Sequence, residues 1–130
     1  MVGKYNWGTA KRYFQHIQEV TGRSVPQKQI DKLKEALRAK EYKKLSPEEY
    51  ALHTKEYTST RRAKMIKEWE ENTGQKWPID EKGNRYQLHH IIEQQYGGPN
   101  EWWNSHPAKF PDEHQGGIHA KGSPSRELFK

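Results

Sequence analysis

Apolar residues recur every three or four positions through the first 74 residues, and that rhythm is lost afterwards. Ala10, Tyr13, Phe14 and Ile17 predict an amphipathic helix over Thr9–Glu19, stopped by Gly22. Ile30, Leu33 and Leu37 predict a second over Pro26–Tyr42, with Pro26 at its start. Ser46-Pro47-Glu48-Glu49 has the form of a capping box, with Ser46 as N-cap and Glu49 reaching back. The helix that follows should break at Thr58-Ser59-Thr60, where three β-hydroxyl side chains compete for the backbone. One more helix holds Met65, Ile66 and Trp69 and ends at Gly74.

Beyond Gly74 the pattern changes. Two short strand-like pieces flank Lys82-Gly83-Asn84, a turn signal. The stretch from Ile91 to Asp112, rich in Gly, Pro and Asn, reads as a long loop, and loops of that length are usually functional. Pro111-Asp112-Glu113 predicts a helix start with acids where the helix dipole favours them, and Ser123-Pro124 a last short helix running to Phe129. The pattern therefore predicts an α+β domain with a mostly helical N-terminal half.

Composition narrows what such a domain can be. Apolar residues make up 31% of the 130, and mean hydropathy is −1.31. So lean a core needs help from aromatics or a bound metal, and five Trp and seven Tyr supply much of the apolar area. The adjacent Trp102 and Trp103 are expected to fill the core beneath the loop. There is no cysteine, which excludes disulfides and every Cys-based zinc motif, so a metal would have to use His, Asp or Glu. No run of about 18 apolar residues exists to span a membrane, and the first 14 residues lack the apolar core of a signal peptide. Net charge is +6: residues 1–76 carry 17 Lys and Arg against 10 Asp and Glu, and residues 77–130 carry 6 against 7. The basic half could be a solvated lysine-rich surface or a platform for a polyanion.

Five of the seven histidines lie between positions 89 and 119. Imidazole is both a ligand for Zn²⁺-like ions and the commonest general base near neutral pH. Four histidines could close a structural site, or three could bind an ion while one works. The adjacency of His89 and His90 favours division of labour, because neighbours on a strand leave on opposite faces. His114 and His119 would complete a three-His site with an open position, the pattern of a catalytic metal. Their spacing of five does not share a helix face, but Gly116-Gly117 between them lets the backbone unwind so that both rings converge. His16, His53 and His106 are expected to be structural or surface residues.

Leu88-His89-His90, followed by Asn104, His114 and His119 at these intervals, resembles the HNH/endonuclease VII superfamily of ββα-metal nucleases. The likeness is greatest to the Leu-His-His branch found as C-terminal domains of bacterial polymorphic toxins, and the arrangement is similar to the nuclease domains of DNase colicins. It covers residues 77–130 and makes them a ββα-metal (HNH) core behind a basic helical region, residues 1–74, of one 130-residue domain.

By position, the resemblance makes His89, His114 and His119 the metal ligands, His90 the general base, and Asn104 the residue that pins the loop and orients the base. The last interval is five here and four in the colicin-type pattern. The resemblance implies one divalent ion: Zn²⁺ if tightly held by neutral nitrogen ligands, with Mg²⁺, Mn²⁺ or Ni²⁺ able to serve turnover. It also implies a DNA endonuclease of little sequence preference, delivered within a larger secreted toxin, acting in the cytoplasm of a target bacterium and neutralised by an immunity protein. That partner should be acidic, to cover a basic surface. Arg61, Arg62, Lys64 and Lys67, with Lys121 and Arg126 flanking the site, are the candidate phosphate contacts. Two alternatives stay open: a non-catalytic, metal-stabilised nucleic-acid-binding module, and the same catalyst acting on RNA.

Overall fold

The computed structural model describes residues 7–109. His114, His119, Lys121, Arg126 and the two helices expected after Pro111 lie outside the described residues. The described chain is α+β: four helices lead into a two-stranded antiparallel sheet. Helix α1, Trp7–Thr21, buries Ala10, Tyr13, Phe14 and Ile17 and stops at Gly22, whose φ of 67° is the left-handed value that glycine tolerates best. Helix α2 spans Gln27–Ala39, shorter than the expected run to Tyr42. Lys40 turns extended and Tyr42 packs into the core from outside the helix.

The capping box forms as expected: the Glu49 amide donates to Ser46 Oγ at 3.2 Å, and the Ser46 amide to Glu49 Oε1 at 2.9 Å. Helix α3, Pro47–Lys55, buries none of its residues. The hydroxyl run that follows it starts the next helix, because Thr58 Oγ1 accepts from the Arg61 amide at 3.1 Å. Helix α4, Ser59–Thr73, buries Met65, Ile66 and Trp69 and ends at Gly74 with φ 71°.

The strands differ from the expectation. Across Lys82-Gly83-Asn84 only one bridge forms, Ile79 with Arg85, around a turn held by Asp80. Strand β1, Gln87–His90, pairs instead with β2, Ser105–Ala108, inside the stretch read as loop. The segment Ser105-His106-Pro107-Ala108 is buried at every position, so it shows no apolar–polar alternation. Pro107, which cannot donate to a ladder, also argues against a strand.

The hairpin lies between two apolar clusters. Leu88 faces Met65, Ile66 and Trp69 of α4 with Trp77 and Trp102, while Ile91, Ile92 and Ala108 pack with Tyr13, Ile17, Leu33 and Leu37 of α1 and α2. Trp69 and Trp77 meet edge to face at 5.0 Å. Trp103 touches both clusters, so the tryptophan pair is core, as expected.

Candidate active site

Alternation along β1 sends its two histidines apart. His89 is fully buried, and its Nε2 lies 3.0 Å from the Tyr13 hydroxyl on α1. Tyr13 has one proton and gives it to the Ile91 carbonyl at 2.5 Å, so the bond to the ring is donated by Nε2–H of His89. Burial and the charge of Glu93 push the Tyr13 pKa well up, which keeps the hydroxyl protonated. The outcome is a defined tautomer, with the lone pair of His89 on Nδ1.

His90 faces the other way, into a cavity of about 1240 Å³. It is 6% exposed, and its Nε2–H donates to Asn100 Oδ1 at 2.9 Å. The Tyr57 ring stands edge-on to it at 4.7 Å. Asn100 leaves Nδ1 as the basic atom of this ring as well.

The loop between the strands is held from inside. Asn104 has no exposed surface. Its Oδ1 accepts from the Ile92 amide at 2.6 Å, and its Nδ2 donates to the Ile92 and Pro99 carbonyls, both at 3.0 Å. It ties the ends of the loop together; the loop residue hydrogen-bonded to the imidazole is Asn100, by sequence the weaker candidate for the Asn role because Gly97-Gly98 beside it reads as a turn. Gly98 is needed where the loop crosses itself, since a Cβ there would lie 1.6 Å from the Ile92 carbonyl oxygen. Two helices brace the same loop. His53 Nε2–H of α3 donates to the Gly98 carbonyl at 2.7 Å. Gln29 Nε2 of α2 donates to the Trp103 and Ser105 carbonyls at 3.0 and 2.7 Å. His53 is therefore a brace and not a bystander.

His106 sits opposite His89 in the strand register and is structural, as expected. Thr21 of α1 gives its proton to the Ile17 carbonyl, so His106 Nε2–H donates to Thr21 Oγ1 at 2.8 Å. Burial, then the positive charge of Arg23, lowers its pKa from 6.5 to about 3, and the ring is neutral at physiological pH.

Of the candidate cations, Arg62 lines the cavity with its charge bearing on the Tyr57 hydroxyl, whereas Arg61, Lys64 and Lys67 stand exposed on α4 and outside the lining. The cavity adds Lys44 and Arg85, which the sequence did not single out. Among the described residues no three His, Asp or Glu side chains converge as a metal site. The one expected ligand that is described, His89, fits the part: its tautomer is fixed by a buried hydroxyl and its Nδ1 is of the neutral imidazole type that such ions take. No helix among the described residues is long and apolar enough to cross a membrane.

A small α+β domain with a histidine-bearing hairpin beside a basic cavity is the class this fold and site define. No family model matches the chain. Over 141 aligned residues, 98% of the chain, it is 55% identical to the protein named Toxin YxiD of Bacillus subtilis (strain 168). Over 78 residues, 58% of the chain, it is 45% identical to the Probable deoxyribonuclease RhsB of Dickeya dadantii (strain 3937). The chain spans 25% of the length of the first relative and 5% of the second, so it corresponds to a segment of each.

Proposed function

We propose that this chain is the nuclease domain of a delivered bacterial toxin, an HNH-type endonuclease that hydrolyses DNA with little sequence preference. The observation that carries the reading is His90: a buried imidazole, oriented by Asn100, on the wall of a cavity lined by Lys44, Arg62 and Arg85. The similarity to proteins named as a toxin and as a probable deoxyribonuclease supports it.

Hydrolysis breaks the bond from phosphorus to the 3′ oxygen and leaves 5′-phosphate and 3′-hydroxyl ends. His90 accepts the proton of the attacking water at Nδ1, an effect worth about 10²–10⁴-fold. Asn100 holds the ring by Nε2–H, and Tyr57 limits its rotation. Arg62 and its neighbours bind the phosphate oxygens. Asn104 is a positioning residue, acting through the loop that carries Asn100. His89, with His114 and His119, would hold a divalent ion, Zn²⁺ by ligand type, with Mg²⁺, Mn²⁺ or Ni²⁺ as alternatives in turnover. When bound, such an ion supplies Lewis-acid polarisation of the phosphate and of the leaving oxygen. Within a longer toxin the domain would act in the cytoplasm of a target bacterium, and an acidic immunity protein would protect the producer by covering the basic cavity.

The test is plasmid nicking by the purified chain across these metals, beside a His90→Ala variant. The expected result is metal-dependent nicking that falls at least about 100-fold in the variant while metal binding persists. Intact plasmid with both proteins, metal still bound, would favour the non-catalytic binding module. Degradation of total RNA with plasmid spared would reassign the substrate.

A further inference from the structure

The cavity beside His90 carries more than phosphate contacts. Three tyrosines line it, from three places in the chain: Tyr50 on α3, Tyr57 between α3 and α4, and Tyr86 just before β1. Tyr86 has the Arg23 guanidinium 4.6 Å from its ring centroid, so one face of that ring is already stacked. Tyr50 is 43% exposed on a helix that buries none of its residues, although exposed aromatics usually find cover. Lys44 and Arg85 have no ion pair among the described residues, and Glu93 is the one acid in the described lining. Concave shape, unpaired cations and aromatic faces are the combination that binds single-stranded nucleic acid. A stacked duplex offers phosphates and base edges to a protein, and its base faces are reachable only once a nucleotide is unstacked.

We infer that this cavity takes an unpaired nucleotide, with its base on the tyrosine faces and its phosphates on Lys44, Arg62 and Arg85, so that the protein prefers single-stranded or frayed DNA to duplex. The inference rests on the nuclease reading and adds a substrate form to it. Tyr50 and Tyr86 supply sequence-tolerant stacking, since every base has a π face. The cations place the phosphate beside His90.

The experiment is fluorescence anisotropy with a labelled mixed-sequence 12-mer and its duplex, using the full chain in a His90→Ala background to prevent cleavage. The single strand should bind at least about tenfold tighter than the duplex. A further Tyr50→Ala change should weaken single-strand binding by roughly 5-fold or more and leave duplex binding within about twofold. Tyr50→Phe should restore the single-strand affinity, because the ring and not the hydroxyl stacks; Tyr50 is exposed, so neither change endangers the fold. Equal or tighter duplex binding, or a Tyr50→Ala effect that is absent or the same on both forms, would overturn the inference and leave the nuclease reading standing. Failure of the folded protein to bind either form would overturn both.

Discussion

Asn104 offers the sharpest test of how the site is held. Its side chain satisfies the Ile92 amide, the Ile92 carbonyl and the Pro99 carbonyl. Ile92 is 1% exposed, so in Asn104→Ala its two backbone groups lose their partner where water cannot replace it. An unsatisfied buried polar group costs about 1–3 kcal/mol. Pro99 is only partly buried, and its carbonyl can turn to solvent. Two groups at mid-range give a loss of about 3–4 kcal/mol, a large share of the ~5–15 kcal/mol that holds a domain together. Asn104→Asp is the finer probe. It keeps the acceptor for the Ile92 amide and sets an anionic oxygen against two carbonyls. Its folded pKa must rise, so relative to the wild type the variant gains stability as pH falls through that raised value. Urea unfolding followed by tryptophan fluorescence, at pH 7 and pH 5, measures both variants. A loss under about 1 kcal/mol in Asn104→Ala, or an Asn104→Asp variant as stable as wild type at pH 7, would refute the loop-pin argument.

Three further changes follow from the same geometry. His106 has a folded pKa of about 3 against 6.5 for the free group, so the unfolded chain binds the extra proton between those values. Its contribution is complete above pH 6.5 and falls by up to about 1.4 kcal/mol per pH unit down to pH 3. His106→Gln should flatten the stability–pH curve over that window, and an unchanged slope in urea titrations would disprove it. Tyr13→Phe releases His89 Nε2 and strands the Ile91 carbonyl; metal affinity should drop roughly 10–100-fold by chelator competition, and stability by about 1–3 kcal/mol. Gly98→Ala should disorder the crossing of the loop at Ile92 and abolish nicking while far-UV circular dichroism stays helical; retained nicking would contradict it.

The helices were legible because each announces itself locally. An apolar residue every three or four positions, a capping box and a left-handed glycine need no knowledge of the rest of the chain. Strand β2 was not legible, since a four-residue segment buried on both faces has neither alternation nor a strong propensity, and its proline points away from a strand. Within the site, the density of histidines drew attention to His89 and His90, and strand alternation foretold their divergence. Asn100 ranked behind Asn104 because its surroundings, Gly-Gly-Pro-Asn, read as a turn. Two cations of the cavity were hidden by distance, because Lys44 and Arg85 join Arg62 from separate elements, while the rest of the visible run on α4, Arg61, Lys64 and Lys67, points to solvent.

Tyr13 and Thr21 fill the most consequential gap, the absence of any site role for the first two helices. Periodicity counts Tyr13 as core, which its ring is; the hydroxyl does something else. Two hydroxyls on one face of α1 set the tautomers of two buried imidazoles on neighbouring strands. Gln29 of α2 supports the strand-to-strand loop, and α3 and α4 bring Tyr50 and Arg62 to the cavity. A fold with so little apolar surface places polar groups in its interior, and several of those it pairs are groups of the site. Residues from both sides of the pattern change near residue 76 share one apolar cluster, Tyr13, Ile17, Leu33 and Leu37 with Ile91, Ile92 and Ala108. Without α1, His89 and His106 would be buried imidazoles with no partner for Nε2. In that state they would hydrate and lose the defined orientation that ligation and hairpin packing require.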